Sequence, residues 1–465
     1  MTGLVRNLID PSELSQDDVV EALARLAARD GDLARSADDA FEMLTWGEGP
    51  GVLRQAGVQN WLWYVVPTKV ITDEAGYMGR LAGAAAALFD ELGLHGYATV
   101  CRSSTTAEVH AAFDRGDADG RRALRRALKQ SGVEPPDLAD FAWSSIMGDE
   151  EASALSAVED ALERAITAGD VVVGGRGWRA AQASAAEAAL DGDHPEMPGQ
   201  SWRTAVLTER LEHWINAARR RSPRLGSARA AVANRLLNPV DPPSGAAAAV
   251  GPLMWFLDRH GDEQPLTQAG YLKPAFVKSL EAGRRWDPKL PPGYQVRNEG
   301  DDIVGLSLRE WLQQAGALRK RKSKLVRTTA GAAMATDPDR AWSVLTSHLA
   351  PRGWGGFVAE AALLNLLSTA GRSVRTASWD SVLEFVASAG AEMGWATSGG
   401  GERHAPSVGD VSRELFGLCR VWEVCGLVAF EGSYPDRRIV LSEEGEGAAF
   451  SYLRHTAAGP RKSLD

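Results

Sequence analysis

Residues 311–334 read WLQQAGALRKRKSKLVRTTAGAAM, and residues 422–450 read WEVCGLVAFEGSYPDRRIVLSEEGEGAAF. Each stretch begins as an amphipathic helix and stops at a glycine, Gly316 or Gly426. A short strand follows, then a charged or turn-rich tip. A return strand comes next, Lys324-Leu325-Val326-Arg327 or Arg438-Ile439-Val440-Leu441. A helix then restarts at a second glycine, Gly331 or Gly445. Helix followed by β-hairpin is the back half of a winged helix, and a unit written twice fixes architecture where a single motif does not.

Working outward, the spacing predicts two modules, over 246–350 and 356–455. In the first, a helix from Ala246 carries Leu253 and Phe256, and Pro265-Leu266-Thr267 is a short strand. Pro274 suits the first turn of the next helix, where its missing N–H costs nothing. That helix turns Phe276, Val277 and Leu280 inward. Ser307-Leu308-Arg309-Glu310 reads as a capping box opening the third helix, and 318–328 forms the wing.

The second module uses helices over 357–367, over 379–393 capped by Ser378, and over 408–425. On the last of these, Val411, Leu415, Leu418, Trp422 and Cys425 make a core stripe. Ser433-Tyr434-Pro435-Asp436 supplies the turn chemistry of its wing.

The stretch 246–350, through PLTQAGYL, LREWLQQAGALRKRKSKLVRTTAGAAMATDP and Trp342, resembles the C-terminal region of a family of actinobacterial insertion-element passenger proteins. That resemblance implies a winged-helix-like fold and transfers no site residues. The full chain looks like actinobacterial proteins of similar layout.

A chain of 465 residues exceeds one compact core. The first 240 residues read as helices. Ser15 caps one helix, Ser36 opens another, and an alanine-rich helix spans 74–92. Asn60 to Val66 (NWLWYVV) is a strand or a buried helix turn. Further helices cover 152–168, 178–190 and 202–220, and Val171-Val172-Val173 is a strand. The proline-rich stretch 238–244 marks the main boundary, and the tail 456–465 is mobile. The expected fold is therefore mainly α with small β-hairpins: a helical N-terminal region followed by tandem winged-helix domains.

Fifty-one basic residues against 61 acidic ones give a net charge of −10. That argues against a general basic coat and leaves nucleic-acid contact to local patches. The start of the chain lacks an export signal, and no apolar run spans a bilayer, so a cytoplasmic protein with no membrane partner is expected.

The strongest local signal is Arg319-Lys320-Arg321-Lys322-Ser323-Lys324 on the first wing. With Lys273, Lys278, Arg284 and Arg285 it would form one basic face able to reach phosphates. The bland alternative is a solvated hairpin tip. Arg121, Arg122, Arg125, Arg126 and Lys129 form a second basic strip, and Arg219-Arg220-Arg221 with Arg224 a third. Both are read first as exposed helix faces paired with acids. The second wing is mixed in charge, since Glu431, Asp436, Glu443 and Glu444 offset Arg437 and Arg438. That suits docking of a protein or a second copy.

No catalytic motif stands out, so no enzyme, metal or cofactor is expected. Gly174-Gly175-Arg176-Gly177 lacks the rest of a phosphate loop. Glu209 with His213, and the acidic loop of Asp191, Asp193, His194 and Glu196, lack a ligand set. Cys101, Cys419 and Cys425 read as small buried apolar residues. The many tryptophans (Trp61, Trp143, Trp214, Trp255, Trp311, Trp342 and Trp422 among them) read as core anchors. The expectation is a non-enzymatic, helix-turn-helix-like DNA-associated protein, with transcriptional regulation as one role open to it. The alternative is a protein–protein adaptor.

Overall fold

The structure, a computed structural model, describes residues 7–70, 74, 76–138, 141–143, 147–283, 295–368, 375–399 and 402–459. It is mainly helical with small antiparallel sheets. The described residues form two compact units, 7–206 and 207–459.

The first unit holds α1 (Gln16–Ala27), α2 (Gly31–Thr45), α3 (Gln55–Asn60), α4 (Val66–Lys69), α5 (Tyr77–Glu91) and α6 (His95–Cys101). It continues through α7 (Ser104–Arg115), α8 (Asp117–Ser131), α9 (Asp149–Ala168) and α10 (Trp178–Asp191), and α11 (Trp202–Arg219) crosses the division. Ser15 caps α1 in a reciprocal box with Asp18. Asp30, not Ser36, opens α2, because its carboxylate accepts from the Asp32 and Leu33 N–H groups. The aromatic run is helical: Trp61–Val65 is a π turn between α3 and α4, with the Val66 N–H donating to Trp61 O. Pro67 follows at once, and a proline, which has no N–H to give, tolerates such a widened turn. Buried alanines of α2 (Ala37, Ala40) and α5 (Ala82, Ala85, Ala86) share one core and let those helices pack together.

Residues 171–173 are not a strand. Val171 is buried beside Val133 and Ile166, whereas Val172 is 56% exposed. The Gly175 N–H closes a turn onto Val172 O at 2.8 Å. Three apolar residues among helices have no ladder to join, so the phosphate-loop context falls away as well.

In the second unit α12 (Pro223–Leu236) precedes α13 (Ala246–His260), β1 (Glu263–Pro265), α14 (Pro274–Gly283), α15 (Ile303–Gln314), β2 (Leu318–Arg321) and β3 (Lys324–Arg327). Two helices follow, α16 (Thr329–Thr336) and α17 (Pro338–Ser347). The order then recurs as α18 (Trp354–Leu367), β4 (Arg375–Ser378), α19 (Trp379–Glu392), the small ribbon β5 (Thr397–Gly399) with β6 (Glu402–His404), α20 (Val408–Val424), β7 (Val428–Glu431) and β8 (Arg438–Leu441). The helix α21 (Glu443–Ala458) ends it. Helix, strand, helix, helix and hairpin thus occur twice. The sheet orders match, β1-β3-β2 and β4-β8-β7, with every pairing antiparallel.

One closure builds both hairpins. Gly316 (φ +75°) and Gly426 (φ +66°) take the left-handed conformation that ends α15 and α20. The Ala317 N–H donates to Leu312 O at 2.9 Å, and the Leu427 N–H to Trp422 O at 2.8 Å. Each hairpin returns to a hydroxyl cap. Thr328 Oγ1 donates to Gly316 O and Ser442 Oγ to Gly426 O, both at 2.7 Å. At Gly331 and Gly445 the next helix passes so close that a Cβ would sit 2.1 Å from Ala317 O and 1.9 Å from Leu427 O. Glycine is obligatory there for space. Counted from these bonds, Trp422 falls opposite Leu312, one step out of register with Trp311.

Four expectations need correction. The division between compact units lies at Val206/Leu207, not near 240. Leu225, Val232 and Leu236 of α12 join the core of the second unit. The proline-rich stretch is packed, since a Cβ at Gly447 would lie 3.1 Å from Pro243. The stretches 246–350 and 356–455 share one continuous core and are not separate bodies.

Third, α15 starts at Ile303, capped by Asp302 accepting from the Gly305 N–H at 2.8 Å. Ser307 is therefore inside the helix, and its hydroxyl bonds back to Ile303 O at 2.8 Å. Ser378 does stand at the N-cap of α19, but its side chain makes no cap bond. Fourth, α21 runs on to Ala458, which is buried and accepts from Arg210 at 2.8 Å. Of the expected mobile tail, residues 460–465 lie outside the described residues.

Candidate nucleic-acid interface

The first hairpin is two four-residue strands joined through Lys322 and Ser323, with Arg321 paired to Lys324. Lys322 holds the turn at φ +55°, an uncommon conformation for a side-chain-bearing residue. Leu318 and Leu325 point inward and are buried. Alternation turns Arg319, Arg321 and Lys324 to the opposite face, Lys320 shares the face of Leu318 and Leu325 but extends beyond the core, and Lys322 sits in the turn; all five are exposed.

Lys324 is held by Glu263 of β1 at 2.5 Å. Just below the tip, Arg327 bonds Asp262 at 2.8 Å. Among the described residues, Arg319, Lys320, Arg321 and Lys322 have no acidic partner within ion-pair distance. Lys320 reaches across the sheet to the turn at 267–271, where its ammonium would lie 2.9 Å from a Cβ on Gly270. Tyr271 is 45% exposed on that turn, and exposed Lys273 follows it directly before α14. Lys278 is exposed on α14 itself. The wing and the start of α14 are thus adjacent. Arg284 and Arg285 lie outside the described residues.

The third helix of this module offers no such surface. Arg309 is buried against Glu299 at 2.7 Å, and Glu299 also accepts from the Leu272 N–H at 2.7 Å. Burial raises the Glu299 carboxyl above its usual range, against the pull of Arg309. One side of α15 rests on α20, so like helices of the two modules meet, and α17 packs on α21. Trp311 and Trp422 bind neighbouring carbonyls in the connection between modules: Trp311 Nε1 donates to His348 O at 2.7 Å and Trp422 Nε1 to Leu349 O at 3.0 Å. They are core anchors, as expected of them.

The second wing is built differently. Phe430, Phe416 and Trp379 cluster with ring centres 4.6–6.1 Å apart. The Arg437 guanidinium lies 4.2 Å from the Phe430 centroid and 5.0 Å from that of Phe416. Arg438 bonds Thr376 at 3.2 Å. Tyr434 stands 84% exposed at the tip.

Of the second basic strip, only Arg121 and Arg122 have an acidic partner among the described residues, Asp117 and Asp119. The three cysteines are buried. His194 bonds Glu150 at 3.0 Å, and no group of three or more His, Cys, Asp or Glu among the described residues could hold a metal ion. Among those residues, no helix is long and apolar enough to cross a membrane.

Sequence reading missed a buried set along α9. Glu163 accepts from the Tyr97 hydroxyl at 2.7 Å and the Gln55 N–H at 2.8 Å, and Arg54 pairs with Asp160. Burial, with Asp160 and Glu163 alongside, pushes Glu159 up to about 7. It joins three segments about 40 to 110 residues apart in the chain, and no local pattern announces it.

Comparison with known protein families, curated proteins and solved structures finds no match to this chain. The functional reading therefore rests on the site alone.

Proposed function

We propose that residues 246–350 and 356–455 are tandem winged helices, and that this is a non-enzymatic DNA-associated protein contacting phosphate through the first wing. The topology supports the fold: three helices with a strand after the first, then a hairpin, with the first strand pairing beside the last. One observation carries the function. Four adjacent cations at an exposed tip have no acid beside them, in a chain whose total charge is −10.

The contact is phosphate-directed. One side of α15 is taken up by α20 and its arginine is buried, so the third helix is not presented as a groove reader. Lys273 and Lys278 extend the wing's field. The test is retention of a mixed-sequence duplex at low salt. Wild-type protein is expected to retain it, and the variant with Arg319, Lys320, Arg321 and Lys322 all changed to Glu is expected to release it. No retention by the wild type defeats the reading.

The second wing favours a second role, as a docking point for a protein or another copy. Its arginines are engaged on aromatic rings and a hydroxyl, and its exposed tip residue is a tyrosine, a residue enriched at protein interfaces. Tyr434→Asp should abolish self-association or partner capture and leave DNA retention intact. Unchanged association in that variant removes the docking role.

A further inference from the structure

The largest cavity described, about 810 Å³, lies inside the second unit along the first turns of α18. Its walls come from six places: α12, the end of α15, the end of α17 with the connection after it, α18, the end of α19, and the end of α21. That volume falls within the range of small-molecule sites, roughly 300–1,000 Å³.

The polar groups are divided between floor and mouth. On the floor, Glu360 is only 9% exposed on its side chain. Its Oε1 receives Arg229 Nε at 2.8 Å and Trp214 Nε1 at 3.2 Å. Among the described residues no group donates to Oε2, which leaves one lone-pair-rich oxygen of a buried carboxylate open to the cavity. That oxygen is open to solvent, so a donor entering the cavity would replace water there. Arg229 already balances its charge, so the complement is a neutral N–H donor rather than a cation.

Along one wall, Phe357 and Trp395 stand 5.6 Å apart, centre to centre, tilted by 41° and backed by Trp354, and give an aromatic edge. At the mouth, Arg352 is exposed and has no acidic partner among the described residues. Beside it the first turn of α18 begins at Gly353, which supplies no side-chain cap. His348 is anchored through Nδ1, 3.1 Å from Val344 O and 3.0 Å from Ser347 Oγ.

We propose that this cavity binds a phosphorylated heteroaromatic molecule bearing an amino group, a nucleotide. The base lies against Phe357 and Trp395 with its amino group on Glu360 Oε2, and the phosphate lies at Arg352. The aromatic wall alone would accept any flat apolar compound, and Arg352 alone any anion. The open carboxylate oxygen of Glu360 adds a preference for an N–H donor. Each ligand part answers a group that is otherwise unmatched. Because α15, α18 and α21 all approach this space, a bound nucleotide would stiffen the contact between the two modules.

The proposal is independent of DNA binding. The experiment is titration calorimetry of the full chain with AMP, GMP and CMP, with adenosine and inorganic phosphate as part-ligands. At least one nucleotide is expected to bind with a Kd below about 1 mM, ten-fold or more tighter than either part-ligand. Arg352→Glu, on the surface, should weaken it at least ten-fold with circular dichroism unchanged. Glu360→Gln should reduce the preference for AMP over IMP, which lacks the amino group. A Kd above about 1 mM for all three nucleotides overturns the proposal. So does equal binding by the Arg352→Glu protein.

Discussion

Lys320 and Phe430 occupy the same place in the two hairpins. Each is the third residue of its first strand, and each pairs with a buried residue on the return strand, Leu325 or Ile439. In the second wing that place is filled by a ring packed on Phe416 and Trp379 and covered by Arg437. In the first it is filled by an ammonium that reaches toward Gly270. The backbones agree down to the hydroxyl caps. The difference between a pinned, charge-balanced wing and a bare cationic one comes from side chains that the hairpin does not need for its own formation. A shared fold therefore leaves function open, and the tip chemistry decides it.

The repeated closure can be broken at its tightest points. Gly331→Ala and Gly445→Ala should each lower unfolding free energy by about 3 kcal/mol, because the new methyl meets a carbonyl that cannot retreat. Urea unfolding measures this. Equal losses support the equivalence of the modules, and a neutral Gly331→Ala breaks it.

Substituting the shared strand position sharpens the contrast. Phe430→Ala should cost about 2 kcal/mol as the ring packing disappears, and Lys320→Ala close to nothing. Removing only the cation above the rings, with Arg437→Ala, should cost about 1 kcal/mol, read as a small fall in Tm. The smallest effect has the opposite sign. Lys322→Gly should stabilise by about 0.5 kcal/mol, because glycine takes φ +55° without strain.

Much of the second unit was legible because hairpin closure uses residues with few substitutes. A left-handed stop at Gly316 or Gly426, inward Leu or Ile at alternate strand positions, and a helix restarting at a cramped glycine leave visible marks. The core stripe on α20 was legible for the same reason, with Val411, Leu415, Trp422 and Cys425 all buried.

Marks that also occur in other contexts misled. Ser-x-x-Glu at 307–310 matches a capping box, yet the same spacing is harmless inside a helix, and the cap belongs to Asp302. Prolines at 239, 242 and 243 suggested a free linker, but the stretch packs against α21. The exposed tip of the basic wing followed from its run of cations, which burial would leave uncompensated. The loss of one α15 face to α20 did not, since it depends on two segments about 100 residues apart.

The central claim is that the bare wing contacts phosphate and the pinned wing does not. Its most direct test is the slope of log K against log salt for a mixed-sequence duplex, measured on two variants. Changing Arg319, Lys320, Arg321 and Lys322 to Ser should flatten the wild-type slope by about 3.6, since each phosphate neutralised by a cation accounts for roughly 0.9 of the slope. Changing Arg437 and Arg438 to Ser should leave the slope unchanged. Parallel lines for wild type and the first variant, or flattening only in the second, would contradict the account.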